Sequence, residues 1–208
     1  LYSSAASVVY KRQTMRAGVL TMGSLLGRYP QKKIKVAQGG GCALGVRDTS
    51  WHLSGFKSLG AKNSLVKGYV NISSKNGLIG NIYKFPKVTV TGTSNLIMAA
   101  VLTKGITTLK NISIEPEVID LITFLKNGGA KIKQAGKRTI KIFGVKKLLG
   151  CSHKIIGDRI EAFSYLCAGV ITKGNIRVNN INPNYLLSEL KVLKKIGCNI
   201  TIKNSAIV

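Results

Sequence analysis

The sequence predicts an α/β fold built from βαβαββ repeats about 68 residues long, and three observations lead there. Leu59-Gly60-Ala61-Lys62, Gly128-Gly129-Ala130-Lys131-Ile132 and Ile196-Gly197-Cys198-Asn199-Ile200 share one pattern, with glycines 69 and 68 residues apart. Thr103-Lys104-Gly105 and the residues up to Ile112 match Thr172-Lys173-Gly174 and the residues up to Ile181, 69 positions later. Within each copy the apolar period switches from helical to alternating and back, as successive helices and strands require. A period this long does not suit the common solenoids, so repeated α/β lobes are expected.

The elements follow in order. Residues 14–20 read as a helical run carrying Arg16, and Leu25-Leu26-Gly27-Arg28-Tyr29 leads to Lys33-Ile34-Lys35-Val36 as a looser first copy. In the second copy an apolar helix over 96–102 reaches Gly105 and gives way to an alternating strand over 106–109. An amphipathic helix over 118–125 follows, then short strands over 130–132 and 139–142. The third copy repeats this with a helix over 163–171, a strand over 175–178 and a helix over 185–193. Glu115 and Glu117 flank Pro116 as cap and dipole residues, and Asp158-Arg159-Ile160-Glu161 reads either as an ion-paired helix start with Asp158 at the first turn or as a charged group at a junction between lobes.

Composition narrows the function classes. With 45% hydrophobic and 19% charged residues the chain is an ordinary folded globule. No apolar run reaches the roughly 18 residues of a membrane span, and the opening residues lack a basic start followed by a long apolar stretch. Cys42, Cys151, Cys167 and Cys198 form no Cys-x-x-Cys pair, and His52 and His153 lack obvious partners and read as surface or capped residues, so no metal site is expected. Sparse, unpaired cysteines fit a reducing compartment. The net charge of +25 comes from lysines scattered along the chain, with no run of five, no Arg-rich arm and few aromatics to stack bases. It reads as a solvated surface that attracts anionic substrates; a basic anion- or nucleic-acid-binding protein is the rival reading.

The candidate chemistry centres on Gly39-Gly40-Gly41-Cys42-Ala43-Leu44-Gly45-Val46-Arg47. Glycines let the backbone turn sharply and offer its amides to an anion, beside a thiol and a guanidinium. Arg16 and Lys87 are further cations next to apolar segments. No P-loop, dinucleotide fingerprint or Ser-His-Asp order is present.

The ordered series Thr14-Met15-Arg16-Ala17, Gly40-Gly41-Cys42-x-x-Gly45-x-Arg47, His52-x-x-Gly55, Lys87-Val88-Thr89-Val90-Thr91-Gly92-Thr93, Glu115-Pro116-Glu117 and Asp158-Arg159-Ile160-Glu161 resembles the UDP-N-acetylglucosamine 1-carboxyvinyltransferase family over nearly the whole chain. The resemblance implies the enolpyruvyl transferase fold, an inside-out α/β barrel of two lobes with three repeats each and the active site between them. Residues 1–156 would be most of the first lobe and 157–208 the first repeat of the second, so the chain reads as an internal fragment of the family sequence. The implied reaction transfers the enolpyruvyl group of phosphoenolpyruvate to the 3-hydroxyl of UDP-N-acetylglucosamine and releases phosphate, in the cytoplasm, for peptidoglycan precursor synthesis. No cofactor, metal, specific nucleic acid or membrane partner is implied, and the oligomeric state stays open.

By the same resemblance Cys42 is the proton donor and the sulfur that fosfomycin would alkylate. Arg47 and Arg16 hold phosphate oxygens, and Asp48, Thr49, Ser50 and Trp51 with Lys87, Val88, Thr89 and Val90 line the nucleotide pocket. One strip departs from the family. Members commonly read Arg-Pro-Val-Asp-Leu-His where this chain reads Arg47-Asp48-Thr49-Ser50-Trp51-His52. The shikimate-pathway enolpyruvyl transferase is the alternative enzyme, but it does not use a Cys in this loop.

Overall fold

The computed structural model describes residues 16–37 and 48–208, and the chain divides into two compact units, Leu1–His153 and Lys154–Val208. Strands β1 (Ile34–Ala37), β2 (Lys62–Val66) and β3 (Tyr69–Ser73) form an antiparallel sheet in the order β1-β3-β2. Strands β4 (Ile82–Lys84), β5 (Ile106–Lys110), β6 (Lys131–Gly136) and β7 (Thr139–Phe143) make a second sheet, β4-β5-β7-β6. Strands β8 (Val178–Asn179), β9 (Ile202–Lys203) and β10 (Ala206–Ile207) make a third, β8-β10-β9. In all three the last strand of the repeat returns to lie between the two before it. Among the described strands only β4 runs parallel to its neighbour, with Ile82 opposite Thr108, across a crossover through the helix Val90–Ala100. That strand completes βαβαββ in the second repeat, and nothing in its three residues, Ile82-Tyr83-Lys84, distinguishes it from a loop in the sequence.

The repeat seen in the sequence recurs as geometry. Helices Ser50–Ser58, Pro116–Asn127 and Leu187–Lys195 all end in one Schellman motif. The N–H of Gly60, Gly129 and Gly197 donates to the carbonyl of Lys57, Lys126 and Lys194 at 3.0, 2.9 and 3.1 Å. The next residue, Ala61, Ala130 or Cys198, reaches back to Phe56, Leu125 or Leu193 at 3.0, 2.9 and 3.1 Å. This closure needs a left-handed residue, and the three glycines have φ of +90°, +93° and +96°. The second marker is repeated too: Thr103 and Thr172 hydroxyls each donate to a carbonyl four residues back at 2.9 Å, and Asn111 and Asn180 both sit at φ +58°.

Several expected boundaries move for local reasons. The helix expected over 96–102 runs from Val90 to Ala100, because Thr89 caps it six residues earlier than the apolar period shows. The helix expected over 163–171 starts at Arg159, capped by Asp158. Residues 14–20 contain a 3-10 turn, Arg16–Leu20, before the helix Thr21–Arg28, and the segment over 185–193 starts as a 3-10 turn, Pro183–Leu186. The strand expected over 175–178 shrinks to Val178–Asn179, since β10 offers it only two partners. Glu115 takes the N-cap position without a side-chain bond to the helix's free N–H groups.

In the first unit Phe56, Leu96, Leu109, Ile140 and Ile142 are fully buried in one core; in the second Leu166, Leu186, Leu190 and Ile207 form a smaller one. Close helix packing in the first unit depends on small residues. A side chain at Gly23 would collide with the Asn95 carbonyl, and one at Gly55 would enter the Leu96 side chain.

Candidate functional site

The expected nucleotide residues occupy the starts of two helices. At Ser50–Ser58, Thr49 holds the N-cap position and is buried, while Asp48 supplies the polar cap, its Oδ1 accepting from the Ser50 N–H at 2.7 Å. The Ser50 side chain and backbone N–H hold the exposed Asp48 carboxyl below its ordinary pKa. This local bond accounts for the carboxylate at the position where the strip departs from the family pattern: it serves the helix start, where negative charge meets the positive end of the macrodipole. Trp51 is half-buried, and its carbonyl accepts from the Tyr83 hydroxyl at 2.9 Å, which also lies 2.6 Å from Ser54 Oγ. Tyr83 is fixed in turn by an edge-to-face contact with buried Phe85, centroids 5.0 Å apart.

Lys87 and Val88 are exposed in the turn between β4 and the helix Val90–Ala100. Thr89 closes that helix start, its Oγ1 accepting from the Gly92 N–H at 3.2 Å. Thr93 donates to the Thr89 carbonyl at 2.6 Å and accepts from the Ser113 N–H at 3.0 Å, anchoring the turn to the chain after β5. Two helix N-termini, each carrying residues of the expected pocket, are thus built with their first turns ordered. Such ends present N–H groups and a positive field suited to phosphate oxygens.

Beneath them the two helices are joined by a buried polar cluster that local sequence reading missed. Asn95, fully buried on the helix Val90–Ala100, donates through Nδ2 to the Val19 carbonyl at 3.0 Å and lies 2.9 Å from His52 Nδ1. Its Oδ1 accepts from the Gly23 N–H at 2.7 Å. With Nδ2 donating, His52 Nδ1 is the acceptor and the imidazole proton sits on Nε2. Burial lowers the His52 pKa to about 4, against an opposing pull from Asp48, so the ring is neutral near pH 7. His52 is therefore a buried, bonded residue and not a surface one; its partner lies 43 positions away, beyond any local pattern. His153 likewise has a distant partner, Asp120, at 2.9 Å. The signal that could have marked the cluster was Asn95 itself, a carboxamide directly before the apolar run Leu96-Ile97-Met98-Ala99-Ala100.

Cys42 and Arg47 lie outside the described residues, as do Gly39, Gly40 and Gly41, and for Arg16 only the backbone, opening the 3-10 turn, is described. Among the described residues no group of His, Cys, Asp and Glu could hold a metal ion, and no helix is long and apolar enough to cross a membrane.

The profile of the EPSP synthase family, 3-phosphoshikimate 1-carboxyvinyltransferase, matches residues 3–208. UDP-N-acetylglucosamine 1-carboxyvinyltransferase of Pelagibacter ubique is 46% identical over 94% of this chain and 46% of its own length. The protein of the same description from Endomicrobium trichonymphae is 47% identical over 92% of this chain and 45% of its own. The chain thus spans about half the length of the curated relatives it matches. Among solved structures, the enolpyruvyl transferase NikO from Streptomyces tendae superposes with a TM-score of 0.75 over 97% of this chain and 48% of its own, at 20% identity. EPSP synthase from Acinetobacter baumannii gives 0.62 over 92% and 45%, also at 20% identity. The fold is the enolpyruvyl transferase fold, and the chain belongs to the EPSP synthase family, within which it is similar to UDP-N-acetylglucosamine 1-carboxyvinyltransferases.

Proposed function

We propose that this chain carries the catalytic loop of an enolpyruvyl transferase acting on phosphoenolpyruvate and UDP-N-acetylglucosamine in the cytoplasm. The observation that carries this reading is the 46% identity to a curated enzyme of that description across 94% of the chain, with Cys42 and Arg47 both present in their loop. The unit Leu1–His153 would belong to the first lobe and Lys154–Val208 would open the second.

In the reaction the sugar 3-hydroxyl adds to C2 of phosphoenolpyruvate, its O–H proton passing to water, while Cys42 delivers a proton to C3. The tetrahedral adduct then loses phosphate and a proton to regenerate the vinyl group. A thiol with an ordinary pKa of about 8.5 is mostly protonated at neutral pH yet yields its proton readily. Arg47 and Arg16 would favour thiolate in the empty site, and a bound phosphate would offset them and restore the acid. Their planar guanidinium groups suit phosphate oxygens. The helix starts at Ser50 and Val90, with Asp48, Thr49, Trp51, Lys87, Val88 and Thr89, would receive the nucleotide, and the charge of +25 would draw in both anionic substrates.

The test is phosphate release from phosphoenolpyruvate by this chain, with and without UDP-N-acetylglucosamine, beside Cys42→Ala. Release that needs both the sugar nucleotide and Cys42 is expected of the enzyme. Absence of release from a folded chain whose Trp51 fluorescence still responds saturably to UDP-N-acetylglucosamine would mean that turnover needs groups this chain lacks. Absence of both signals would overturn the reading.

A further inference from the structure

Three of the segments that the proposed site uses are joined through one side chain. Asn95 Nδ2 holds the Val19 carbonyl, three residues after Arg16, and Oδ1 holds the Gly23 N–H, so both sides of the junction between the 3-10 turn and the helix Thr21–Arg28 are fixed. The other Nδ2 hydrogen meets His52 Nδ1, immediately after the strip Asp48 to Trp51. Asn95 itself lies six residues after Thr89 on the helix whose start carries Lys87 to Val90. Both donor hydrogens and the oxygen are engaged, so the carboxamide cannot rotate without losing a buried bond. Gly23 allows this approach, because any side chain there would occupy the Asn95 oxygens' space.

We propose that His52 and Asn95 are positioning residues of the sugar-nucleotide site, setting the Arg16 segment and the Asp48 to Trp51 strip at a fixed separation so that one diphosphate can be held from both sides. This rests on the proposed function and deepens it: neither residue touches substrate, and the pair determines affinity through the segments it joins. A neutral imidazole is required in that place, because a protonated Nδ1 would point a second donor at Asn95 Nδ2, and the depressed His52 pKa agrees with this requirement.

The test compares His52→Asn, whose amide oxygen can stand where Nδ1 stands, with His52→Leu, which fills the space without an acceptor. Affinity for UDP-N-acetylglucosamine is read from Trp51 fluorescence and folding from far-UV circular dichroism. His52→Asn is expected to stay within about three-fold of wild type and His52→Leu to lose about ten-fold or more while folded. Should His52→Leu fail to fold, His52→Gln, with its amide oxygen displaced toward the Nε2 position, takes its place with the same expected loss. A folded variant without the acceptor that binds like wild type overturns the positioning role and leaves the functional reading standing. A folded wild-type chain with no saturable response overturns the functional reading, and the positioning role with it.

Discussion

Helices Val90–Ala100 and Arg159–Ile171 occupy the same place in successive repeats, yet they live in different surroundings. Their caps correspond, Thr89 and Asp158 being 69 residues apart. The first buries Gly92 to Ile97, Ala99 and Ala100; the second buries only Ala162, Leu166 and Gly169, leaving Ile160 and Ile171 60% and 81% exposed. The contrast extends to the polar residue at the matching position. Asn95 reaches out to two other helical segments, whereas Ser164, 69 residues on, turns its hydroxyl back to the Ile160 carbonyl of its own helix at 2.9 Å. An apolar helix is compatible with either outcome; the neighbours decide which one is realised, and the proposed site lies where the neighbours are close enough to share one carboxamide.

The largest effect that tests this contrast is in the core. Leu96→Ala removes a fully buried side chain packed against Gly55 and should cost about 4 kcal/mol, measured by denaturant unfolding followed at Trp51. A cost near that of an exposed leucine would show that the first unit relaxes around the gap. Asn95→Leu should cost about 3 kcal/mol, since it strands the Gly23 N–H and the Val19 carbonyl, while Ser164→Ala should change stability by less than about 0.5 kcal/mol.

Acid provides a comparable lever on the first unit. In the unfolded chain His52 titrates near its ordinary 6.5 and in the folded chain at about 4, so between these values the unfolded state binds the extra proton. Stability from this group is full above pH 6.5 and falls as the pH drops toward 4, by about 3 kcal/mol in all. His52→Asn should remove that pH dependence from the Trp51-monitored transition; an unchanged slope would mean that other groups carry it. Smaller still, Thr89→Ala and Asp158→Ala should each cost about 1 kcal/mol by thermal or denaturant unfolding, because the caps do the same work in both surroundings. Ile171→Lys should cost less than about 0.5 kcal/mol, and a larger loss would mean that this face is covered in solution.

Local signals were legible where chemistry is local. The glycines ending three helices are legible from spacing because only a left-handed residue closes a Schellman motif, and of the two readings open for Asp158 the helix start is the one seen, its carboxylate meeting N–H groups two and three residues away. The helix start at Val90 was hidden because Val-Thr-Gly-Thr carries β-branched residues that also suit strands. The role of Tyr83 and the burial of His52, which reads locally as a surface or capped residue, are not legible because their partners, Trp51 and Asn95, are 32 and 43 residues away.

By itself, then, the sequence determined the repeat, the alternation of helix and strand and the glycines that end three helices, all of which are settled by side-chain type and short spacing. Tertiary structure alone decided that the last strand of each repeat lies at the centre of its sheet, that one apolar helix is covered while its counterpart is not, and that Asn95 joins three segments. The physical reason is that strand order and burial depend on contacts between residues far apart in the chain, and a polar atom hidden from water must find its partner wherever the fold brings one.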